Sequence, residues 1–204
     1  MQISFLKAQA RLWFFGLMVV ASGCEPTPLD EDPPAKAAET SPASTESPEI
    51  QVAEKSWDEF EQEIGDQHGR VVVANIWTNT CAACLAEFPA YAELSRRWPQ
   101  DEVVFYDINC DYDGIKDKPL AFYRPRLLKF LEGHKSESRH VALTDPLIDF
   151  LDENDIHSTP TVLVYDRSGK LVKQFDNHEA YKEEDEFHAD DVGALIERLL
   201  EKKS

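Results

Sequence analysis

Two cysteines separated by two residues are the pair in this sequence whose types and spacing are best suited to chemistry. Cys81-Ala-Ala-Cys84 follows an apolar, β-branched run that ends at Trp77, and it precedes a stretch with helical periodicity. A cysteine at a helix N-terminus meets unpaired backbone N–H groups and the positive end of the helix dipole, which favour the thiolate. We therefore expect Cys81 to attack disulfides and Cys84, one turn inside the helix, to resolve the mixed disulfide.

A cysteine pair can also bind metal or form a structural disulfide. A zinc site needs about four ligands, usually a second cysteine pair or histidines at matching spacing. The sequence has no second Cys-x-x-Cys motif and its six histidines are scattered. We expect no metal and no cofactor other than the redox-active disulfide Cys81–Cys84. A disulfide over so short a loop constrains the unfolded chain little, which disfavours a purely structural role.

The elements that must position this motif follow from hydrophobic periodicity. Strands are predicted at 70–77, 102–109, 139–143, 161–165 and 171–175. Helices are predicted at 81–98, 120–131, 146–153 and 190–202, and another begins after the capping box Ser56-Trp-Asp-Glu59. This order predicts an α/β fold with a mixed central β-sheet flanked by helices on both faces.

The segment VVVANIWTNTCAACLAEFP resembles the strand–CxxC–helix segment of the thioredoxin superfamily, and more narrowly that of the membrane-anchored TlpA/ResA-type thiol–disulfide oxidoreductases. Trp77 stands four residues before Cys81, as the family's first tryptophan does. Pro89 stands where thioredoxins kink this helix. Glu87 stands three residues after Cys84, where TlpA/ResA-type proteins keep a glutamate that tunes the cysteines. The resemblance implies a thioredoxin-like fold and a catalytic set of Cys81, Cys84 and Glu87.

A second segment, residues 156–161, resembles the family's cis-proline loop. In the family this proline, here Pro160, is cis and faces the disulfide, and the residue before it, here Thr159, offers backbone hydrogen bonds to the substrate. The implied substrate-binding residues are Trp77, Thr80, Thr159 and Pro160. Thr80 replaces the second tryptophan that the family usually has directly before the first cysteine.

Asn75 is a further departure from the family pattern, because cytoplasmic thioredoxins have a buried aspartate there that serves as a base. Glu87 could take that role through a pKa raised by partial burial. The alternative is that Glu87 is an ordinary solvated helix carboxylate.

Residues 1–23 are predicted to be a lipoprotein-type signal peptide. Lys7 and Arg11 accompany an apolar run over 12–21, which is too short to span a bilayer comfortably. Ala21-Ser22-Gly23-Cys24 resembles the bacterial lipobox, in which the cysteine is lipidated, so Cys24 would anchor the chain to the membrane outside the cytoplasm. The alternative is an ordinary cleaved signal, which would leave a soluble secreted or periplasmic protein.

Residues 24–53 are predicted to be a disordered tether, and residues 54–204 a thioredoxin-like domain. The tether region holds half of the twelve prolines and is rich in Ser, Thr and Glu. A flexible chain of this length has a root-mean-square reach of about 30 Å, enough to hold a domain clear of a membrane surface.

The net charge of −18 argues against nucleic acid as a partner, because phosphate binding needs clustered lysine and arginine. The resemblance implies a reductase that exchanges with protein disulfide or dithiol substrates and receives electrons from a membrane thiol-relay protein. The alternative is a thioredoxin-like metal-binding or metallochaperone module without redox turnover. Cys110 is predicted to be a buried free thiol, with a transient third redox role as the other option.

Overall fold

A mixed six-stranded sheet forms the centre of the part of the chain that the computed structural model describes, residues 50–178, 180 and 186–201. The strands are β1 Val52–Lys55, β2 Val71–Trp77, β3 Val103–Asn109, β4 Arg139–Leu143, β5 Thr161–Tyr165 and β6 Leu171–Asp176. The helices are α1 Trp57–Gly65, α2 Ala82–Leu94, α3 Leu120–Glu132, α4 Leu147–Glu153 and α5 Ala189–Glu201. Every strand and helix predicted from the sequence is present, with small changes at the ends.

The sheet order is β1-β4-β3-β2-β5-β6. β1, β4, β3 and β2 are mutually parallel, and β5 and β6 extend the sheet by antiparallel pairing. Parallel neighbours end at the same edge of a sheet, so the residues that follow β2 and β3 lie side by side. This edge carries the cysteine motif, because Cys81 comes four residues after the end of β2.

Two layers of helices cover the sheet, as predicted. One face packs against α1 and α4 through a cluster that includes Trp57, Phe60 and Phe150. The other face packs against α2, α3 and α5, which contribute Phe88, Leu127 and Ile196 among others. All seven residues of β2 are buried, since the strand lies in the middle of the sheet with helices on both sides.

The first strand of the described residues begins inside the predicted tether. The tether was expected to extend to residue 53, but Val52 and Ala53 belong to β1 and pair with His140 and Val141 of β4. Four residues, of which only Val52 is buried, give too weak a periodic signal to identify a strand by themselves. β1 is stabilised by pairing with a strand almost 90 residues later in the chain, and local sequence does not report that pairing.

The helix after the cysteine motif is shorter than predicted, ending at Leu94 instead of Trp98. The Ser95 hydroxyl donates to the carbonyl of Ala92 and accepts a hydrogen bond from the backbone of Glu137. Serine side chains that bond to the backbone compete with helix continuation, and Pro99 follows closely.

A charged network joins α1 to the sheet. The Glu63 carboxylate accepts hydrogen bonds from Tyr106 Oη at 2.6 Å and Arg139 Nη1 at 3.2 Å, and it pairs with Lys55 Nζ at 3.0 Å. Burial opposes ionisation of Glu63, but the bonds from Tyr106 and Lys55 outweigh it and hold its pKa below the ordinary value. The ionised form of Glu63 therefore stabilises the packing of α1 on β1, β3 and β4.

Candidate active site

Cys81 occupies the N-cap position of α2, at the end of a short loop that leaves β2. Its backbone is extended, and its Sγ lies 3.0 Å from the backbone N of Cys84, which donates to it. Cys81 and Cys84 are joined by a disulfide, with their Cα atoms 5.2 Å apart. The predicted pairing and the predicted helix start are therefore both present.

The two sulfurs differ in their access to solvent. Cys81 is half-buried, whereas Cys84 is 3% exposed and lies in the apolar cluster under α2. An incoming disulfide can reach only the half-buried sulfur without a rearrangement. That Cys81 attacks and Cys84 resolves stays a prediction.

The loop before β5 completes the site from the other part of the chain. The Thr159–Pro160 peptide bond is cis, and the Thr159 carbonyl oxygen lies 3.3 Å from Cys81 Sγ. In the disulfide form this is a contact without a hydrogen, and in the dithiol form the Cys81 thiol can donate to this oxygen. Thr159 is half-buried and Pro160 is buried, so Thr159 is the residue of this pair that a substrate could reach.

Trp77 does not lie where the sequence analysis expected. It was assigned to substrate binding, but it is 1% exposed and packs beneath α2, with its ring centroid 4.9 Å from that of Phe88 and 5.0 Å from that of Phe130. A side chain so buried supports the helix that carries Cys84 and does not contact a substrate. Thr80, in contrast, is exposed, and its hydroxyl is 3.1 Å from that of Thr78.

Glu87 lies one turn after Cys84 on α2 and is half-buried. Its Oε1 is 3.3 Å from Nδ1 of His188, which directly precedes α5. The backbone N of His188 donates to Asp191, which orients the histidine. Sequence reasoning missed His188, because 101 residues separate it from Glu87 and no local pattern connects them. The role of Glu87 in tuning the cysteines stays a prediction.

A buried carboxylate is present beside Asn75, on the neighbouring strand. Asn75 is paired in register with Asp107 of β3, and Asn75 Nδ2 donates to Asp107 Oδ1 at 3.3 Å. Asp107 is 3% exposed and also accepts from the Ser136 hydroxyl at 3.2 Å. The residue pattern of β2 and α2 pointed to Asn75 and Glu87 and did not predict a role for Asp107. Strand register, which the sequence does not reveal, places the carboxylate there.

Cys110 is the free cysteine of the described residues, and it is completely buried. Its Sγ is 3.3 Å from the carbonyl oxygen of Trp77. Burial, together with the neighbouring Asp111 carboxylate, raises the pKa of the Cys110 thiol. The prediction of a buried free thiol is confirmed, and this environment keeps the sulfur protonated and inaccessible.

A groove of about 650 Å³ borders Thr80, beside the cysteine motif. Its walls come from the loop after β3, the first half of α3 and the start of α4, and they include Asp111, Phe122 and Arg126. Phe122 is 60% exposed. The groove therefore combines apolar and charged surface beside Thr80, the residue directly before Cys81.

The described residues also bear on the predictions about metal binding and the membrane. Residues 50–178, 180 and 186–201 contain no group of three or more His, Cys, Asp or Glu side chains placed to hold a metal ion. None of the helices in these ranges is both long and apolar enough to cross a membrane. The predicted signal peptide, Cys24 and almost all of the predicted tether lie outside the described residues.

No protein-family model and no curated protein sequence matches this chain. Several solved structures do match it. A thiol–disulfide isomerase from Corynebacterium glutamicum matches with a TM-score of 0.52 at 15% identity, covering 78% of this chain and 99% of that chain.

Two further solved structures are similar to this chain. The thioredoxin domain of a thiol–disulfide oxidoreductase from Bacteroides vulgatus has a TM-score of 0.48 and 21% identity, with 66% of this chain and 82% of that chain covered. The exposed lipoprotein thioredoxin of Streptococcus pneumoniae has a TM-score of 0.47 and 23% identity, with coverages of 67% and 90%. With the sheet order above, the similarity to the Corynebacterium protein confirms the predicted thioredoxin-like α/β fold.

Proposed function

We propose that this chain of thioredoxin-like fold is a thiol–disulfide oxidoreductase that exchanges disulfides with protein substrates through Cys81 and Cys84. The observation that carries the proposal is the environment of Cys81 Sγ. This sulfur is half-buried, accepts the Cys84 backbone N–H at 3.0 Å, and lies 3.3 Å from the Thr159 carbonyl of the cis-proline loop.

The reaction in the reducing direction starts from the dithiol. The Cys81 thiolate attacks one sulfur of a substrate disulfide, and the other substrate sulfur leaves as a thiolate and takes up a proton. Cys84 then loses its proton and attacks Cys81 Sγ, which releases the second substrate thiol. The substrate disulfide has been reduced to two thiols, and the Cys81–Cys84 disulfide seen in the structure has formed.

The helix N-terminus supports the first step. The Cys84 N–H and the positive end of the α2 dipole stabilise the Cys81 thiolate more than the thiol. Cys84 is buried, so a substrate contacts Cys81 first. Thr159 and Thr80, both accessible at least in part, are the proposed contacts for the substrate chain on either side of the target cysteine.

We also propose a direction for the reaction and a cellular location for the protein. We propose reduction, with electrons supplied by a membrane thiol-relay protein, because the TlpA/ResA-type proteins that the motif resembles mostly reduce. We propose a position outside the cytoplasm, anchored through lipidated Cys24, because residues 1–24 combine positive charge, an apolar run and small residues before a cysteine. Metabolic labelling with a fatty acid tests the anchor, since Cys24→Ser abolishes labelling if Cys24 is its site.

Insulin reduction with dithiothreitol as donor tests the activity. The wild-type chain should accelerate the reaction, and Cys81→Ser should abolish the acceleration. Cys110→Ser is the matched control, because it removes a completely buried cysteine that takes no part in the Cys81–Cys84 disulfide, and it should leave the rate unchanged. Undiminished acceleration by the Cys81→Ser variant would refute the proposal.

Trapping identifies the substrates. In a Cys84→Ala variant the resolving sulfur is missing, so the mixed disulfide at Cys81 accumulates. Proteins released from this variant by dithiothreitol, and absent from a Cys81→Ser/Cys84→Ala control, are its exchange partners.

A further inference from the structure

Asp111, the second residue after β3, has an unusual environment for a carboxylate. Its side chain is 1% exposed. Its Oδ1 accepts the backbone N–H of Asn79 at 2.7 Å, and its Oδ2 accepts Asn79 Nδ2 at 2.7 Å. A buried carboxylate is costly unless it is hydrogen-bonded, and short bonds to an ionised acceptor are strong. Both carboxylate oxygens of Asp111 are therefore firmly bonded to Asn79, a residue of another segment.

The segment that Asp111 holds is the loop that delivers Cys81. Asn79 is the middle residue of the three between β2 and the N-cap of α2. The other hydrogen bonds of this loop are local: the Cys81 N–H donates to the Thr78 carbonyl at 3.3 Å, and the hydroxyls of Thr78 and Thr80 meet at 3.1 Å. Asp111, in contrast, ties the loop to the end of the neighbouring strand.

Arg126 of α3 balances the buried charge. Its Nη2 lies 3.2 Å from Asp111 Oδ2, while its own side chain is 52% exposed. The other charged groups that line the same groove are Asp113 and Lys118, and Asp113 accepts the hydroxyl hydrogen of Tyr123. Asp111 thus bonds to the loop on one side and faces a cation on the other.

We propose that Asp111 is a positioning residue for Cys81, a role that rests on the exchange reaction proposed above. By accepting hydrogen bonds from the backbone N–H and the side-chain amide of Asn79, its carboxylate keeps the loop in the conformation that aims Cys81 Sγ at the Cys84 N–H. The thiolate is stabilised only while the sulfur keeps this geometry. A loop free to tilt would lose the contact and leave Cys81 closer to an ordinary thiol.

Positioning and a through-space effect of the charge predict opposite results for Asp111→Asn. If Asp111 acts only as a nearby negative charge, its removal favours the thiolate and lowers the Cys81 pKa. If it positions the loop, the asparagine amide has only one acceptor oxygen for the two N–H donors of Asn79, so the bonding to Asn79 weakens. The Cys81 pKa then rises. The sign of the shift therefore separates the two.

The experiment measures the alkylation rate of Cys81 by iodoacetamide against pH in the reduced full-length protein, with the Cys81 peptide quantified by mass spectrometry. For Asp111→Asn we expect a raised midpoint and about a fivefold lower rate at pH 7, because a smaller fraction of Cys81 is thiolate there. A lowered or unchanged midpoint would overturn the proposal. This readout needs no disulfide substrate, so it is independent of whether the wild-type chain reduces insulin.

Three further variants control the result. Asp113→Asn removes a carboxylate from the same groove that does not contact Asn79, and it should not raise the midpoint. Asn79→Ala keeps the charge of Asp111 but removes one of the two bonds, so it should raise the midpoint. The two changes together, Asp111→Asn with Asn79→Ala, should raise it little more than either alone. If Asp111→Asn does not fold, Asn79→Ala tests the proposal by itself, and an unchanged midpoint in that variant would overturn it.

Discussion

Reduction of the Cys81–Cys84 disulfide should lower the stability of the folded chain by an amount that follows from the loop the bond closes. The disulfide spans a sequence separation of three residues. Closing so short a loop in the unfolded chain costs about 2 kcal/mol of chain entropy. The folded chain already holds the two Cα atoms 5.2 Å apart, so it loses little further freedom when the bond forms. The disulfide is therefore worth about 2 kcal/mol of stability.

The thiolate at the helix N-terminus opposes this effect. The Cys84 N–H stabilises the Cys81 thiolate only in the reduced form. The interaction of a negative charge with a helix N-terminus contributes about 0.5 kcal/mol. The oxidised form should then be more stable by about 1.5 kcal/mol, which corresponds to a midpoint of thermal unfolding about 3–6 °C higher. By the thermodynamic cycle, the folded motif should be more reducing than the unfolded one by about 30 mV.

Thermal unfolding followed by circular dichroism, with and without dithiothreitol, measures this difference. The double variant Cys81→Ser/Cys84→Ser is the control, since its midpoint should not respond to the reductant. A reduced form more stable than the oxidised form would refute the reasoning. It would also show that the motif is poised to oxidise its partners, and the proposed direction of the reaction would be wrong.

Three further predictions concern the core and the charged network. Phe88→Ala should cost about 3–5 kcal/mol of unfolding free energy by denaturant titration, whereas the exposed Phe122→Ala should cost less than about 0.5 kcal/mol; equal losses would contradict the packing described. In the reduced folded protein, maleimide should label Cys110 at least about a hundredfold more slowly than Cys81, because the buried thiol reacts only after local opening; comparable rates would contradict this. The low pKa of Glu63 adds stability that is present above the ordinary glutamate pKa of about 4.3 and is lost as the pH falls through the lowered value. The Glu63→Gln variant should therefore be less stable than the wild-type chain at pH 7. It should also lose less unfolding free energy on acidification to pH 3. Parallel stability–pH curves for the two proteins would refute that role.

The elements of this fold were largely predictable because their signals are local. β2 is a run of β-branched and apolar residues that suits a strand buried on both faces, and α1 carries both halves of its capping box. The helix after the cysteine motif was predicted to continue to Trp98, but the Ser95 hydroxyl bonds to Ala92 and the helix ends at Leu94. β1 was taken for the end of the tether, because a short edge strand is defined by its partner β4 and not by its own residues.

In the candidate site too, the local patterns were predictable and the contacts between distant segments were not. The motif and the Thr159–Pro160 loop were found from sequence, since each is a compact pattern of residue types. The groups that surround them were not. His188 beside Glu87 and Asp107 beside Asn75 come from segments far along the chain, and only packing and strand register bring them together.

By itself, the sequence predicted which two cysteines form the disulfide and which of them lies at the helix N-terminus, because spacing within one helix sets both. Only the tertiary structure decided what surrounds Cys81. The parallel pairing of β2 with β3 places Asp111 against the loop at Asn79, and the crossing back of the chain to β5 places Thr159 against the sulfur. It also buried Trp77, which the motif alone had assigned to the substrate. The physical reason is that hydrogen bonds and burial depend on neighbours in space, and these neighbours lie up to about 80 residues apart in the chain.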